Sequence, residues 1–278
     1  MVAVLLSLGA ALGYGLADFL GGFASKRLNM WSVALVAELA GAACVTAYAL
    51  ATGGSPTGAD YGWGVLAGLA NGFGTAFLYR GLTTGRMGVV APVSGVGTGA
   101  LPVLVGFATG ERLALLVWVG ILTALPAIWL VSRTPPAKAE LLGRSGLLDG
   151  VLAGAGFGAT FVALAQIPHE AGFLPLALNQ VVAAGVIVAV ATAFREPWVP
   201  RTWRVAVGVV PGVLAGAATA LFQVASQTGF LTVAAVITSL YPAFTVVLAA
   251  WVLREHIHKS QTVGLALCFT AIALVASG

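Results

Sequence analysis

Residues 204–254, RVAVGVVPGVLAGAATALFQVASQTGFLTVAAVITSLYPAFTVVLAAWVLR, decide the fold. Between Arg204 and Arg254 lie 49 residues without a single Asp, Glu, Lys or Arg. A helix that crosses a bilayer takes about 20 mostly apolar residues. The stretch is too long for one such helix and right for two. Its only polar cluster with a glycine near the middle is Gln227-Thr228-Gly229, which marks the turn.

The same reasoning cuts the rest of the chain. Charges and turn residues leave spans at 2–24, 31–52, 61–83, 88–108, 113–132, 147–167, 173–194, 204–227, 231–252 and 260–277, ten in all. Composition agrees. Of 278 residues 59 % are hydrophobic and 8 % charged, and the mean hydropathy is +1.01. An ordinary soluble domain has about 25 % charged residues. A soluble enzyme, a nucleic-acid binder and a disordered chain are therefore excluded as readings. The N-terminus has no basic region and no clear cleavage site, so its apolar stretch reads as a first span.

The halves resemble each other. A gapless shift of 144 residues puts Gly68 on Gly212, Gly72 on Gly216, Thr75 on Thr219, Ala76 on Ala220 and Gly85 on Gly229. It also puts Val103 on Val247, Glu111 on Glu255 and Gly120 on Gly264. The glutamate pair is the strongest match, since the chain has only nine acidic residues. The organisation expected is a five-helix repeat over 1–132, a basic linker over 133–146 containing Pro135-Pro136, and a second five-helix repeat over 147–278. Five is odd, so the second copy enters the membrane from the other side. The expected fold is all-α, a polytopic membrane protein of ten transmembrane helices in two inverted repeats. Many secondary transporters are built so, with the substrate at the repeat interface near mid-membrane.

Residues 229–277, GFLTVAAVITSLYPAFTVVLAAWVLREHIHKSQTVGLALCFTAIALVAS, carry a run of small residues, Pro242, an apolar helix, Glu255 at a short turn and Gly264 in the last helix. This pattern resembles the last two helices of the EamA-type drug/metabolite transporter superfamily. Glu111-Arg112 and Gly120 are a looser copy in the first half. The resemblance implies a ten-helix basket that moves small metabolites through a central cavity lined by both halves. The expected function is transport of a small organic metabolite, an amino acid-like compound or a drug, by proton-coupled export or exchange. An uncoupled facilitator or an uptake porter for a sugar or related metabolite is the alternative.

Loops after odd-numbered spans hold Lys26, Arg27, Arg80, Arg86, Arg133, Lys138, Arg144, Arg195, Arg201, Arg204, Arg254 and Lys259, twelve cations. The other side holds only Arg112. The positive-inside rule puts the basic face in the cytoplasm and both termini outside. The resembled family is usually drawn the other way round. The count is preferred here, because so large a bias in short loops is what the rule rests on. The membrane expected is the cytoplasmic membrane.

Ionisable groups inside spans are costly and mark function by default. The internal carboxylates read from the sequence are Asp18 and Glu38, ten residues before and after Leu28 at the centre of the joining loop. Antiparallel neighbouring helices would hold them at similar depth. Converging like charges disfavour double ionisation, so the pair would keep a proton. Arg80, near the same face, could neutralise either. Asp18 with Glu38 is expected to bind the coupling proton or a cationic group of the substrate. The competing reading is a buried acid needed only for packing. Tyr14 lies four residues before Asp18, on the same helix face.

No acid is read within the spans of the second half, which carries amides instead. Asn71, Asn179, Gln180 and Gln223 either face a cavity or bond helices together. The repeat pairs Tyr79 with Gln223, which places both on one axis. Glu111 and Glu255 read as caps of the helices that follow them. Glycine ridges at 64/68/72 and 212/216 let helices approach closely. No nucleophile set and no metal-ligand spacing appears, and Cys44 and Cys268 lie far apart in apolar runs. No enzyme activity, cofactor or metal is expected. The expected partners are a small-molecule substrate, protons as coupling ion and the lipid bilayer, not nucleic acid. A chain holding both repeats can work as a monomer.

Overall fold

The computed structural model describes residues 1–25, 27–84, 87–133, 146–254 and 256–277. Lys26, Gly85, Arg86, Glu255 and residues 134–145 of the basic linker, with Lys138 and Arg144, lie outside the described residues. The described chain is helical: α1 Val2–Ser25, α2 Met30–Thr52, α3 Gly58–Thr84, α4 Met87–Ala108, α5 Leu115–Ser132, α6 Leu147–Leu164, α7 Leu174–Ala193, α8 Val209–Thr228, α9 Leu231–Thr238, α10 Tyr241–Val252 and α11 Lys259–Ser277.

Local chemistry sets several boundaries. Asn29 caps α2 by accepting a hydrogen bond from the Ser32 N–H at 3.0 Å. Asp60 accepts from the backbone N–H and hydroxyl of Thr57, each at 2.7 Å, and so fixes the start of α3. The expected span 204–227 begins instead with a 3₁₀ turn over Trp203–Gly208, and α8 proper starts at Val209. The expected span 231–252 is two helices. Pro242 has no N–H to offer the Thr238 carbonyl but fits the first turn of a helix, where that donor is not needed, so the chain breaks at Ser239-Leu240 and restarts at Tyr241.

Nine segments among the described residues are long and apolar enough to cross a membrane, with α9 and α10 counted as one. The long α3 is not one of them; its glycines, Asn71 and Arg80 dilute its apolar character. Large apolar side chains such as Leu104, Leu122 and Phe269 face outward, as a surface bathed in lipid requires.

Helices pack chiefly across the two halves, and the pattern survives exchanging them. As α1 lies on α8, α6 lies on α3; as α2 lies on α8, α7 lies on α3. The broken pair α9–α10 lies on α1 as α4 lies on α6, while α2 meets α7 and α5 meets α11. Contacts repeat at residue level. Methyl groups at Gly64, Gly68 and Gly72 of α3 would strike Pro175, Asn179 and Ala183 of α7. Those at Gly208, just before α8, and at Gly212 and Gly216 of α8 would strike Val33, Ala37 and Gly41 of α2. Likewise Gly120 of α5 abuts Val275 of α11, and Gly264 of α11 abuts Val131 of α5. This is the pattern that two repeats related by a two-fold axis would give.

Glu111 corrects one expectation. Its carboxylate does not cap the following α5. It accepts from the backbone N–H groups of Leu231 at 2.8 Å and Thr232 at 3.3 Å, capping α9 in the other half. The short α9 starts beside the α4–α5 turn, so its free N–H groups lie nearer than those of α5. Charged hydrogen bonds are worth about 1.5–3 kcal/mol each. Glu111→Ala should therefore lower thermal stability in detergent measurably, by about 2 kcal/mol, whereas Arg112→Ala beside it should not.

Candidate binding cavity

Where α2, α3, α7 and α8 converge, the glycines that bring the helices together also leave space between their polar side chains. A cavity of about 90 Å³ results. Glu38 and Ala37 of α2, Asn71 of α3, Asn179 and Gln180 of α7, and Gly212, Ala215, Gly216 and Thr219 of α8 line it. Tyr14 of α1 and Thr160 of α6 close its sides.

The glycine contacts relate α2 to α7 by 142 residues, since Ala37 meets Gly212 as Asn179 meets Gly68. Glu38 and Gln180 are therefore counterparts. Both line the cavity, a carboxylate from the first half and an amide from the second. The gapless shift of 144 residues hides this pairing, because the connection from α7 to α8 is two residues longer than that from α2 to α3.

Glu38 is half-buried and accepts a hydrogen bond from Asn71 Nδ2 at 3.2 Å. The Tyr14 hydroxyl lies 2.7 Å from Thr219 Oγ1, and Thr219 in turn donates to the Ala215 carbonyl at 2.8 Å. Tyr14 is thus the donor. Its ring lies 6.1 Å from that of Tyr241 and 6.3 Å from that of Phe161. The Gln180 side chain threads between Gly41 and Gly216, where any methyl group would meet its amide. The side-chain oxygens of Asn179 and Gln180 are buried and accept no hydrogen bond.

The remaining expected residues lie elsewhere. Asp18 is exposed, one turn beyond Tyr14 on α1, and is not among the residues lining the cavity. The two acids do not converge as a hairpin would bring them, because α1 packs on α8, α9 and α10 and barely touches α2.

Arg80 forms an ion pair with Asp149 of α6, its Nε donating to Oδ1 at 2.7 Å. Its guanidinium also lies over the Phe77 ring, 4.4 Å from the centroid. The second half thus does have an acid in a span, in the first turn of α6. The pair is partly exposed, so a double-mutant cycle of Arg80→Gln and Asp149→Asn should give a coupling of only about 1 kcal/mol. Gln223 is buried and donates to the Gly172 carbonyl at 3.4 Å, outside the cavity lining. The Tyr79 side chain lies outside what is described.

Thr160, Thr219 and the glycine walls were not singled out as site residues from the sequence, although the repeat does pair Thr219 with Thr75. Small residues gain a role only when a partner helix is known.

Residues 144–277 match the model of the EamA-like transporter family. A crystal structure matches over 99 % of this chain and 98 % of its own, with a TM-score of 0.79 at 18 % identity, a likeness of fold alone. No curated protein sequence matches.

Proposed function

With residues 144–277 belonging to the EamA-like transporter family, of the drug/metabolite transporter superfamily, we propose that this membrane transporter of small molecules binds its solute in the cavity on the axis between the halves. Transport is proton-coupled export or exchange across the cytoplasmic membrane. The observation that carries this reading is Glu38, an ionisable side chain inside a span, lining a cavity made by both halves. Such a residue is costly there unless used. An uncoupled facilitator has no need of it.

The remaining parts of the reading follow. Five-helix repeats over 1–132 and 147–278 rock about the cavity as monomeric units. The basic face is cytoplasmic and both termini are outside, which a C-terminal reporter active only in the cytoplasm tests by staying silent. Asp18, on the same helix as Tyr14, supplies negative potential near the cavity and is the second proton-site candidate.

The test is proton movement in proteoliposomes while single solutes are added. A solute that moves protons with wild type, and not in protein-free liposomes, supports coupling. Solutes that exchange by isotope counting without moving protons defeat it. Wild-type flux in Asp18→Asn under every proton gradient removes Asp18 from the coupling path.

A further inference from the structure

We infer that the solute group held in the cavity is a small ammonium cation, an amine without a neighbouring carboxylate. The inference rests on reading the cavity as the transport site. It comes from counting what the lining residues have left to offer. The Tyr14 O–H is spent on Thr219. The Thr219 and Thr160 hydroxyls are spent on the Ala215 and Gly156 carbonyls, at 2.8 and 3.0 Å. These three groups present only lone pairs to the cavity. The Asn179 and Gln180 side-chain oxygens are themselves buried, and their amide N–H groups remain to meet an acceptor on the solute. Of the Glu38 carboxylate, Oε1 takes one bond from Asn71. The acceptors left to the cavity are the Glu38 carboxylate and the Tyr14, Thr160 and Thr219 oxygens, and an ammonium brings three donors to them.

Charge points the same way. Glu38 is the one charged residue in the lining, and no Lys, Arg or His is among the described residues there. The nearest arginine expected to balance it, Arg80, is paired with Asp149. A carboxylate on the solute would meet like charge at low dielectric and find no cation. A cation can also gain from the ring of Tyr14, the one aromatic side chain in the lining.

Size sets the limit. About 90 Å³ is roughly three waters' share of liquid volume, far below the roughly 300 Å³ at which drug-sized pockets begin. The occupant is a head group of a few heavy atoms.

Labelled ethanolamine is the probe, bound to the purified full-length chain in detergent. Ethylene glycol replaces its ammonium with a hydroxyl, and serine adds a carboxylate to the same skeleton. Saturable ethanolamine binding is expected, with each competitor at least about tenfold weaker, the worth of one charged hydrogen bond. Glu38→Gln should weaken ethanolamine by a similar factor, and Gly216→Leu, which fills the cavity, should abolish it. Serine or ethylene glycol competing as well as ethanolamine itself overturns the ammonium assignment and leaves the cavity as the transport site. Binding unchanged in both Glu38→Gln and Gly216→Leu, or no binding of any of the three compounds to wild type, overturns the assignment. Unchanged binding in both variants overturns the cavity reading with it. The wild-type competition series decides between solute classes even if a variant fails to fold.

Discussion

Glu38→Gln is expected to insert and fold, and to lose solute-coupled proton movement. The substitution keeps the shape of the side chain and its hydrogen bond to Asn71, which can turn its amide to suit. What it removes is the charge. Losing a charge-assisted contact of about 1.5–3 kcal/mol lowers apparent solute affinity about 10- to 100-fold. It also removes the carboxylate that can take up and release a proton in the cavity. Proton flux should therefore fall to that of empty liposomes, while the variant elutes as a single species at the wild-type position. Asn71→Ala is the graded companion. It leaves Glu38 charged but without its described donor, so affinity should fall less and proton movement should persist. If Glu38→Gln transports and moves protons like wild type, the cavity carboxylate is structural.

Gly212→Ala should cost more stability than a methyl group added at any other described glycine. The methyl group would meet the Ala37 carbonyl, Cα and carbonyl carbon. These are backbone atoms of α2, which cannot rotate away as a side chain can. Overpacking usually costs about 1–3 kcal/mol, and a clash of backbone with backbone sits at the upper end or beyond. In lipid, helices associate through such close packing rather than through hydrophobic burial, so nothing else compensates. The apparent unfolding temperature in detergent should drop by several degrees. Gly185→Ala is the internal control, because a methyl group there meets nothing within 4 Å. Equal stability of the two variants would show that the α2–α8 contact is looser than its geometry states.

Much of the architecture could be read from spacing. Charges are too expensive in a bilayer to appear at random, so gaps between them measure helices, and most span ends fall within a few residues of the helices. The break at Ser239-Leu240 was carried by Pro242 but not foreseen as two helices, because a proline kinks or breaks depending on what its neighbours can satisfy. The candidate site was legible in part. Tyr14, Glu38, Asn71, Asn179 and Gln180 stood out because polar groups in spans are rare, and all five line the cavity. The pairing of Glu38 with Asp18 failed as geometry, because neighbours in sequence were taken as neighbours in space. Here the closest packing is between halves, and α1 goes to α8. Arg80 was assigned to the nearest acids along the chain, while its partner Asp149 comes from the far side of the linker.

By itself the sequence determined that the chain is a bundle of apolar helices of membrane-spanning length and named most of the polar groups inside them, because hydration cost acts residue by residue. Only the tertiary structure decided which of those groups meet. Helix partners are chosen by the fit of glycine ridges across the two halves, a property of pairs of surfaces that no single stretch of chain contains.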